Sequence, residues 1–576
     1  MRSLLIALSF LITGTLYAQT NIIVTNAQAD AVLKGNYNPA VLAPGTPVDH
    51  ELISKFLQQS LSPDSLKKNI IRLAGFQNRN TGSDTVSSTK GIGAARRWVF
   101  NEFASYSQQS GGRLLPAYLQ FDEVICSQPQ HRNIMAVLPG SDTTDKSIII
   151  IEGHIDSRNK DLCDTAGLAQ GVEDNASGTA LVMELARVMS YHSYKNTIVF
   201  TAVISEEQGL NGARAFATYC LNNKIPVKAV LNNDVIGGVI CGKTSSPPSC
   251  PGENEIDSTQ VRLFSAGSAF SDHKNLVRFI KLEYLEELKP YVTVPMQVTL
   301  MAAEDRTGRG GDHIPFREKG YTAMRFTSAN EHGDASNSAG YQDRQHTEDD
   351  VLGVDTDGDA VIDSFFVDFN YLARNAAING TAAAMAAIGP VRPSFELSPA
   401  TDGKMRVSIT DPNQYGVYRV GFRTGTTIEW DTLYTTTSQV DSFPVVSGKS
   451  YFVSVAAVDG DGVESLFASE KRLLVNGMED ETKPQTGIEL LSNRPNPFDE
   501  TTTIGFIVHN ELTYKSASIQ VTDLQGKLIK QLPVKIQKGL NEVSYEHGYN
   551  TTGTFIYQLV IDGRVIDSRK MIFTAN

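Results

Sequence analysis

His154 and Asp156 stand two residues apart in GHIDS, directly after the apolar run IIII at 148–151. Glu173-Asp174-Asn175 precede a stretch with apolar residues at helical spacing, Glu206 and Glu207 follow TIVFTAVIS, Asp234 follows KAVLNN, and His346 lies in QHTEDD. Imidazoles together with carboxylates form a donor set suited to zinc, manganese or cobalt. Two ions sharing one carboxylate need about two further protein ligands each. His154, Asp174, Glu207, Asp234 and His346 meet that count. The pair Glu206-Glu207 sharpens the point. Neighbouring carboxylates at the end of a buried strand repel each other and resist desolvation, whereas two dications beside them would hold both ionised. Adjacent residues on an extended strand point to opposite faces, so an irregular turn must bring both to one cleft. One can then bind metal, and the other can serve as general base. Each motif alone is weak: Glu-Glu is usually a solvated pair, His-x-Asp is common on surfaces, and DNASG can cap a helix. Their ordered coincidence at successive strand ends is what points to a site.

The elements that must position these residues alternate in kind. Residues 148–156, 197–205 and 228–238 read as buried strands, and 177–192 and 211–223 as helices. This rhythm, running from about 61 to 388, predicts an α/β sandwich with a mixed, mostly parallel central sheet. Ligands of such sheets bind outside the carboxyl ends of the strands, where the acids and histidines fall. A long Ala-rich helix, roughly 364–387, should stop at Gly389-Pro390. Beyond it, 391–476 shows short alternating strands, 477–487 reads as a polar linker, and 488–576 is again β-rich. Both segments are expected to be small all-β sandwiches.

The series GHIDS, GVEDNASGTA, SEEQGLNGA, NNDVIGG, GGDHIPF and HTEDD closely resembles the M28 co-catalytic zinc aminopeptidases, in order and in spacing, over about 61–388. The resemblance implies a phosphorylase/hydrolase-like fold with an eight-stranded mixed sheet and two zinc ions. By motif, His154 and Asp234 would hold one ion, Glu207 and His346 the other, and Asp174 would bridge them. Glu206 would be the general base acting on a zinc-activated water, and Asp156 would orient the His154 imidazole. Peptide or protein N-termini would be the substrate. Arg309, Tyr341 and Phe316 are candidates for oxyanion or substrate contacts; Gln345 stands where some secreted members have a tyrosine. His313, in GGDHIPF, is assigned with Phe316 to a substrate-pocket loop rather than to the metals. A related carboxypeptidase or dipeptidase shares GHIDS and is the alternative, with a non-catalytic surface binding protein on the same scaffold behind it; a glutaminyl cyclase is disfavoured by the complete two-metal pattern.

The rest of the chain bounds the setting. It has 576 residues, 41% of them hydrophobic, and a net charge of −13, which disfavours a general nucleic-acid binder. Residues 1–18 have the basic start, short apolar run and small terminal residue of a signal peptide, and no later segment has the length to span a membrane. Residues 19–60 lack a clear pattern and are expected to be an extension or pro-segment. Of five cysteines, Cys241 and Cys250 are the favoured disulfide pair. Asp355, Asp357, Asp359 and Asp363 alternate around Gly358 and form a candidate calcium loop, though not at EF-hand spacing. The 391–476 segment resembles a fibronectin type III module. The motifs PNPF, DLQGK and GTFIYQL in 488–576 resemble the C-terminal sorting domain of the type IX secretion system, which implies export through the periplasm to the cell surface or medium.

Overall fold

The computed structural model describes residues 19–574 except 43–44, 143, 241–255, 268–270, 306–309, 330–343, 401–403, 425–426, 447–448, 475–487, 509–511, 524–526 and 548–551. The signal-peptide and linker assignments, Arg309, Tyr341 and the Cys241/Cys250 pair therefore lie outside the described residues.

The first unit is built on one nine-stranded sheet. Its strands are β1 (Thr20–Val24), β2 (Leu115–Ile125), β3 (Gln128–Leu138), β4 (Ile148–His154), β5 (Thr197–Val203), β6 (Val227–Asn233), β7 (Gln260–Ser265), β8 (Gln297–Leu300) and β9 (Ala323–Ser328). They lie in the order β1-β2-β3-β5-β4-β6-β9-β7-β8. The centre is parallel: β4 pairs with β5 and β6, and β6 with β9. The flanks are mostly antiparallel, as in β1/β2, β2/β3, β3/β5 and β9/β7, with β7/β8 parallel again. The sheet is thus more evenly mixed than the sequence predicts. Only the central strands, which are covered on both faces, carry the continuous apolar runs that a sequence reading detects.

Helices fill both faces. Those used below are α1 (Ala27–Leu33), α2 (His50–Ser60), α3 (Pro63–Ala74), α4 (Gly91–Gln109), α5 (Ser177–Met189), α6 (Asn211–Asn222), α7 (Asp272–Glu283), α8 (His313–Glu318) and α9 (Phe369–Ile388). The Ala-rich α9 lies against α2, α3, α5 and α7, while α6 and α8 pack together. Its small side chains permit that close approach from several helices, and nearly every residue from Ala376 to Ile388 is buried.

Residues 20–60 are not a separate appendage. β1 adds the ninth strand and pairs with β2. α1 buries Ala29, Val32 and Leu33, and α2 buries Ile53 and Leu57 in the same core as the sheet. Their signal was weak because an edge strand and a surface helix bury only one side each.

A disulfide joins Cys126, at the β2–β3 turn, to Cys163 in the loop after β4, and Cys220 is buried with a free thiol. Among the described helices none is long and apolar enough to cross a membrane.

Two all-β units follow. In the first, Ser394–Ala400, Lys404–Thr410 and Val440–Pro444 form one sheet, and Thr432–Thr436, Val417–Thr424, Ser450–Val458 and Lys471–Leu474 another. Phe395, Val407, Tyr418 and Val453 are among the side chains of their shared core. The second unit repeats the plan with a three-stranded and a four-stranded sheet between Ile488 and Phe573, and has its own core around Phe506, Ile519 and Tyr557.

Candidate metal centre

Three parallel-strand ends and two loops converge on one point. β4 ends at His154, whose side chain is fully buried. Its Nδ1 lies 3.1 Å from the carbonyl oxygen of Asp156 and 3.7 Å from the Asp156 carboxylate. The backbone carbonyl is therefore the closer partner, a change from the expected carboxylate-to-imidazole contact. A carbonyl only accepts, so Nδ1 carries a proton, and Nε2 is the ring atom left to meet an ion on the side of Asp174 and Asp234. The Asp156 carboxylate has another task. It accepts the backbone N–H of Glu206 on one oxygen and that of Glu207 on the other, each at 3.3 Å. Just before them, Ser205 adopts a left-handed φ of +63°. This reversal at the end of β5, fastened onto Asp156, is the irregular turn that lets adjacent glutamates face one cleft.

Asp174 comes from the bend at Val172–Ala176, with φ −109° and ψ +91°, ahead of α5. Asp350 holds that bend by accepting the N–H groups of Glu173 at 2.8 Å and Asp174 at 3.0 Å. Buried Arg79 ties the same region together, donating to the carbonyls of Ile155 at 2.8 Å, Gly171 at 2.9 Å and Gln170. Asn175 donates to the Asn233 carbonyl at 2.8 Å and accepts the Gly178 N–H at 2.8 Å. Close approach makes Gly178 necessary, because a Cβ there would overlap the Asn233 carbonyl oxygen and crowd the Asn175 amide. Gly178→Ala is expected to cost about 1–3 kcal/mol of unfolding free energy, as overpacking does, measured by chemical denaturation. A change below about 0.5 kcal/mol, the size of an ordinary surface substitution, would show that the crossing has slack.

Asp234 follows β6. Arg325 on β9 grips its carboxylate and its carbonyl, both at 3.2 Å, and reaches Asp305 at 3.1 Å. Val235 next to it has a left-handed φ of +52°, costly for a β-branched residue. Its carbonyl accepts from Ser328 N–H and Thr327 Oγ1, both at 2.9 Å, which holds the turn.

The side chains so placed form two donor groups that share one residue. His154 Nε2 lies 3.1 Å from Asp174 Oδ1 and 3.2 Å from Asp234 Oδ1. His346 Nε2 lies 3.0 Å from Asp174 Oδ2 and 3.1 Å from Glu207 Oε2. One oxygen of Asp174 thus serves each group. Glu207 Oε1 is buried with no hydrogen-bond partner, as a waiting ligand atom would be. Glu206 belongs to neither group.

Electrostatics follow the same division. Burial, with Asp234, Glu207 and Asp174 close by, pushes Glu206 up to about 8. Burial alone would depress His154, but Asp234, Glu206 and Asp174 overcome it and hold the imidazole well above its usual range. Burial raises Asp156 to about 6. So many acids in one buried place call for cations, and oxygen and imidazole donors fit divalent transition ions.

The remaining candidates fall elsewhere. Phe316 is not in the cleft: it is fully buried in α8, 5.6 Å between centroids from Phe216 and 6.4 Å from Tyr321. An apolar residue inside a short motif carries no periodicity to tell core from pocket. His313 is also buried in the protein rather than in either donor group, 3.2 Å from the Glu304 carbonyl. Asp355, Asp357 and Asp359 do come together, but they are exposed, and Asp355 already accepts the N–H groups of Gly358 and Ala360, both at 2.7 Å. Asp363 instead bonds Thr356 at 2.6 Å. Asp357 and Asp359 form ordinary Asx turns, accepting the N–H groups of Asp359 at 3.2 Å and Val361 at 2.8 Å.

Sequence reasoning missed Arg158, Arg79, Asp350 and Arg325. Arg158 donates to Glu207 at 2.7 Å and meets His346 Nδ1 at 2.7 Å. The available signal was position: Arg158 extends GHIDS by one residue, and Asp350 lies in the same HTEDD run as His346.

A family model described as peptidase family M28 matches residues 133–246, the stretch holding every predicted donor except His346. The chain is 34% identical to a probable zinc metalloprotease of Pyricularia oryzae over 362 residues, 60% of this chain and 69% of that one. The chain belongs to peptidase family M28. A second relative, a probable zinc metalloprotease of Leptosphaeria maculans, is 32% identical and covers 58% of this chain and 76% of its own. Among solved structures the chain is similar to the LapA aminopeptidase of Legionella pneumophila, with TM-score 0.43 and 18% identity, covering 60% of this chain and 76% of that one.

Proposed function

We propose that this M28 chain is a two-zinc aminopeptidase that removes residues from the free N-termini of peptides. One observation carries the reading: Asp174 gives one oxygen to the His154–Asp234 group and the other to the His346–Glu207 group, while Glu206 stays outside both. His154, Asp174 and Asp234 would hold one ion, and Asp174, Glu207 and His346 the other. When bound, the ions would supply Lewis acidity toward the scissile carbonyl and toward the attacking water. Glu206 takes the proton released as water adds to the carbonyl carbon. It then delivers that proton to the departing nitrogen as the C–N bond breaks. Asp156 fixes the turn carrying Glu206 and Glu207, and so sets the distance between base and ligand. The acidic cleft suits the positive α-amine of a peptide end.

The N-terminal 18 residues and the last unit, 488–576, support export with sorting-domain-directed secretion, and the intervening β-sandwich serves as a spacer.

The test is hydrolysis of aminoacyl-p-nitroanilides by the full chain. Activity should vanish on chelation, return with zinc, and be absent on the same substrates N-acetylated. A metal-replete protein inactive on every free-amine peptide would sink the proposal; equal cleavage of the blocked substrates would remove its exopeptidase half.

A further inference from the structure

Where the peptidase part, the first β-sandwich and the last unit meet, the structure encloses a cavity of about 590 Å³. Small-molecule sites span roughly 300–1,000 Å³. The charge of its lining has one sign. Lys274 and Arg278 come from α7, Arg423 from the strand Val417–Thr424, and Arg494 from the residue just before PNPF. The described lining contains no Asp or Glu. Ile428, Pro495 and Pro497 add an apolar side.

Behind the lining, Glu470 takes Arg278 and Arg423 at 2.9 Å each, and among the described residues it is the one carboxylate in ion-pair contact with any of the four cations. Lys274 is buried, and its Nζ donates to two neutral groups, the carbonyls of Ser265 and Met301, both at 2.7 Å. Glu542 and Glu304 attract it from farther off, and Glu304 is already held by Arg317. The Arg494 guanidinium rests 4.7 Å from the Phe452 ring centroid. Burial and the neighbouring Arg423 and Arg278 press it down to about 9. Four cations over one paired acid leave a surplus of positive charge in a half-desolvated place, which is costly until an anion joins them. Guanidinium forks match the oxygens of phosphate, and an ammonium adds a point charge beside them.

We propose that this junction is a binding site for a doubly charged phosphate group, free or as the ester of a small molecule. Arg494 and Lys274 meet the phosphate oxygens, with Arg278 and Arg423 supplying further positive charge. The apolar side formed by Ile428, Pro495 and Pro497 receives the carbon body of an ester. Because the cations come from all three units, the bound anion is a counter-ion they share, and it fastens the last unit to the peptidase part. The site is separate from the metal centre and needs no ion there.

The test is calorimetric titration of the full chain with inorganic phosphate, pyrophosphate and glucose 6-phosphate at constant ionic strength, before and after metal is removed. One anion per chain should bind after metal removal, which sets the site apart from any anion held by bound metal. Arg494→Gln should weaken binding about 10–100-fold, the worth of one charge-assisted hydrogen bond. Arg564→Gln, the same change at an exposed position outside the lining, should leave the affinity as it is. Ser492→Glu places a carboxylate on the exposed rim of the cavity. It should abolish binding and raise the Tm of the unliganded chain, and it carries the test if Arg494→Gln does not fold. Tighter binding of glucose 6-phosphate than of inorganic phosphate assigns the ester, and the reverse order assigns the free ion. No binding by the metal-free chain, an unchanged affinity in folded Arg494→Gln or Ser492→Glu, or equal weakening in Arg564→Gln would each overturn the proposal.

Discussion

Glu206→Gln is expected to keep both ions and lose about 10²–10⁴-fold in kcat, the usual contribution of a positioned acid–base group. The substitution preserves shape and removes the proton acceptor. Metal content should hold because the Glu206 carboxylate is absent from both donor groups, which Glu207 and the two histidines complete with Asp174 and Asp234. The fold should hold too, since the local anchor is the backbone N–H of residue 206 on Asp156, which glutamine keeps. In the metal-free chain, burial and the surrounding acids press Glu206 up to about 8. Two dications would draw it down toward the range where it can accept a proton at neutral pH. Steady-state kinetics beside metal analysis checks the point. Turnover within about tenfold of wild type, well short of a lost general base, would assign the proton to another group; loss of an ion would make Glu206 a ligand.

Removing Glu470 should destabilise the protein by about 3–5 kcal/mol, the cost of breaking a buried ion pair from one side. Its carboxylate, fully buried just before the strand Lys471–Leu474, accepts from Arg278 on α7 and from Arg423 on the strand Val417–Thr424. The contacts are 2.9 Å to Arg278 Nη1 and 2.9 Å to each of two Arg423 nitrogens. Arg278 belongs to the peptidase part and Arg423 to the β-sandwich, so one acid compensates two buried cations across the junction. Glu470→Ala leaves both guanidiniums without that charge, and Glu470→Gln keeps the volume with a smaller loss. Denaturation followed in the full chain should show the difference. A cost under about 1 kcal/mol, the value of an exposed pair, would mean that water reaches the junction.

What the sequence disclosed depended on how each residue announces itself. Residues 148–156, 197–205 and 228–238 match β4, β5 and β6 to within a few positions, because central parallel strands are apolar throughout. His154, Glu207 and Asp234 were legible because each closes or follows such a strand and carries a donor atom, Asp174 because it stands just before a helix, and His346 through the HTEDD motif. The edge strand Thr20–Val24 was not, since half its side chains face solvent. Nor were the cationic partners. Arg79, Arg158 and Arg325 find their acceptors at sequence separations of roughly 50 to nearly 190 in most cases, so nothing local marks them. Phe316 failed for the opposite reason: its motif drew attention to the site, while its ring belongs to the core.

The bond between Cys126 and Cys163 encloses β3, β4 and the start of the following loop in one covalent ring. His154, Asp156 and Arg158 all lie within it. Even a fully denatured chain therefore keeps the first imidazole, the carboxylate that fastens the glutamate turn, and the arginine beside the second imidazole on a single closed circuit. In the chain-entropy picture a ring of this length removes about 4 kcal/mol of freedom from the denatured ensemble. That restriction bears on the arm of the site that arranges the others, so the oxidised polypeptide begins its search for the native state with part of the centre already confined.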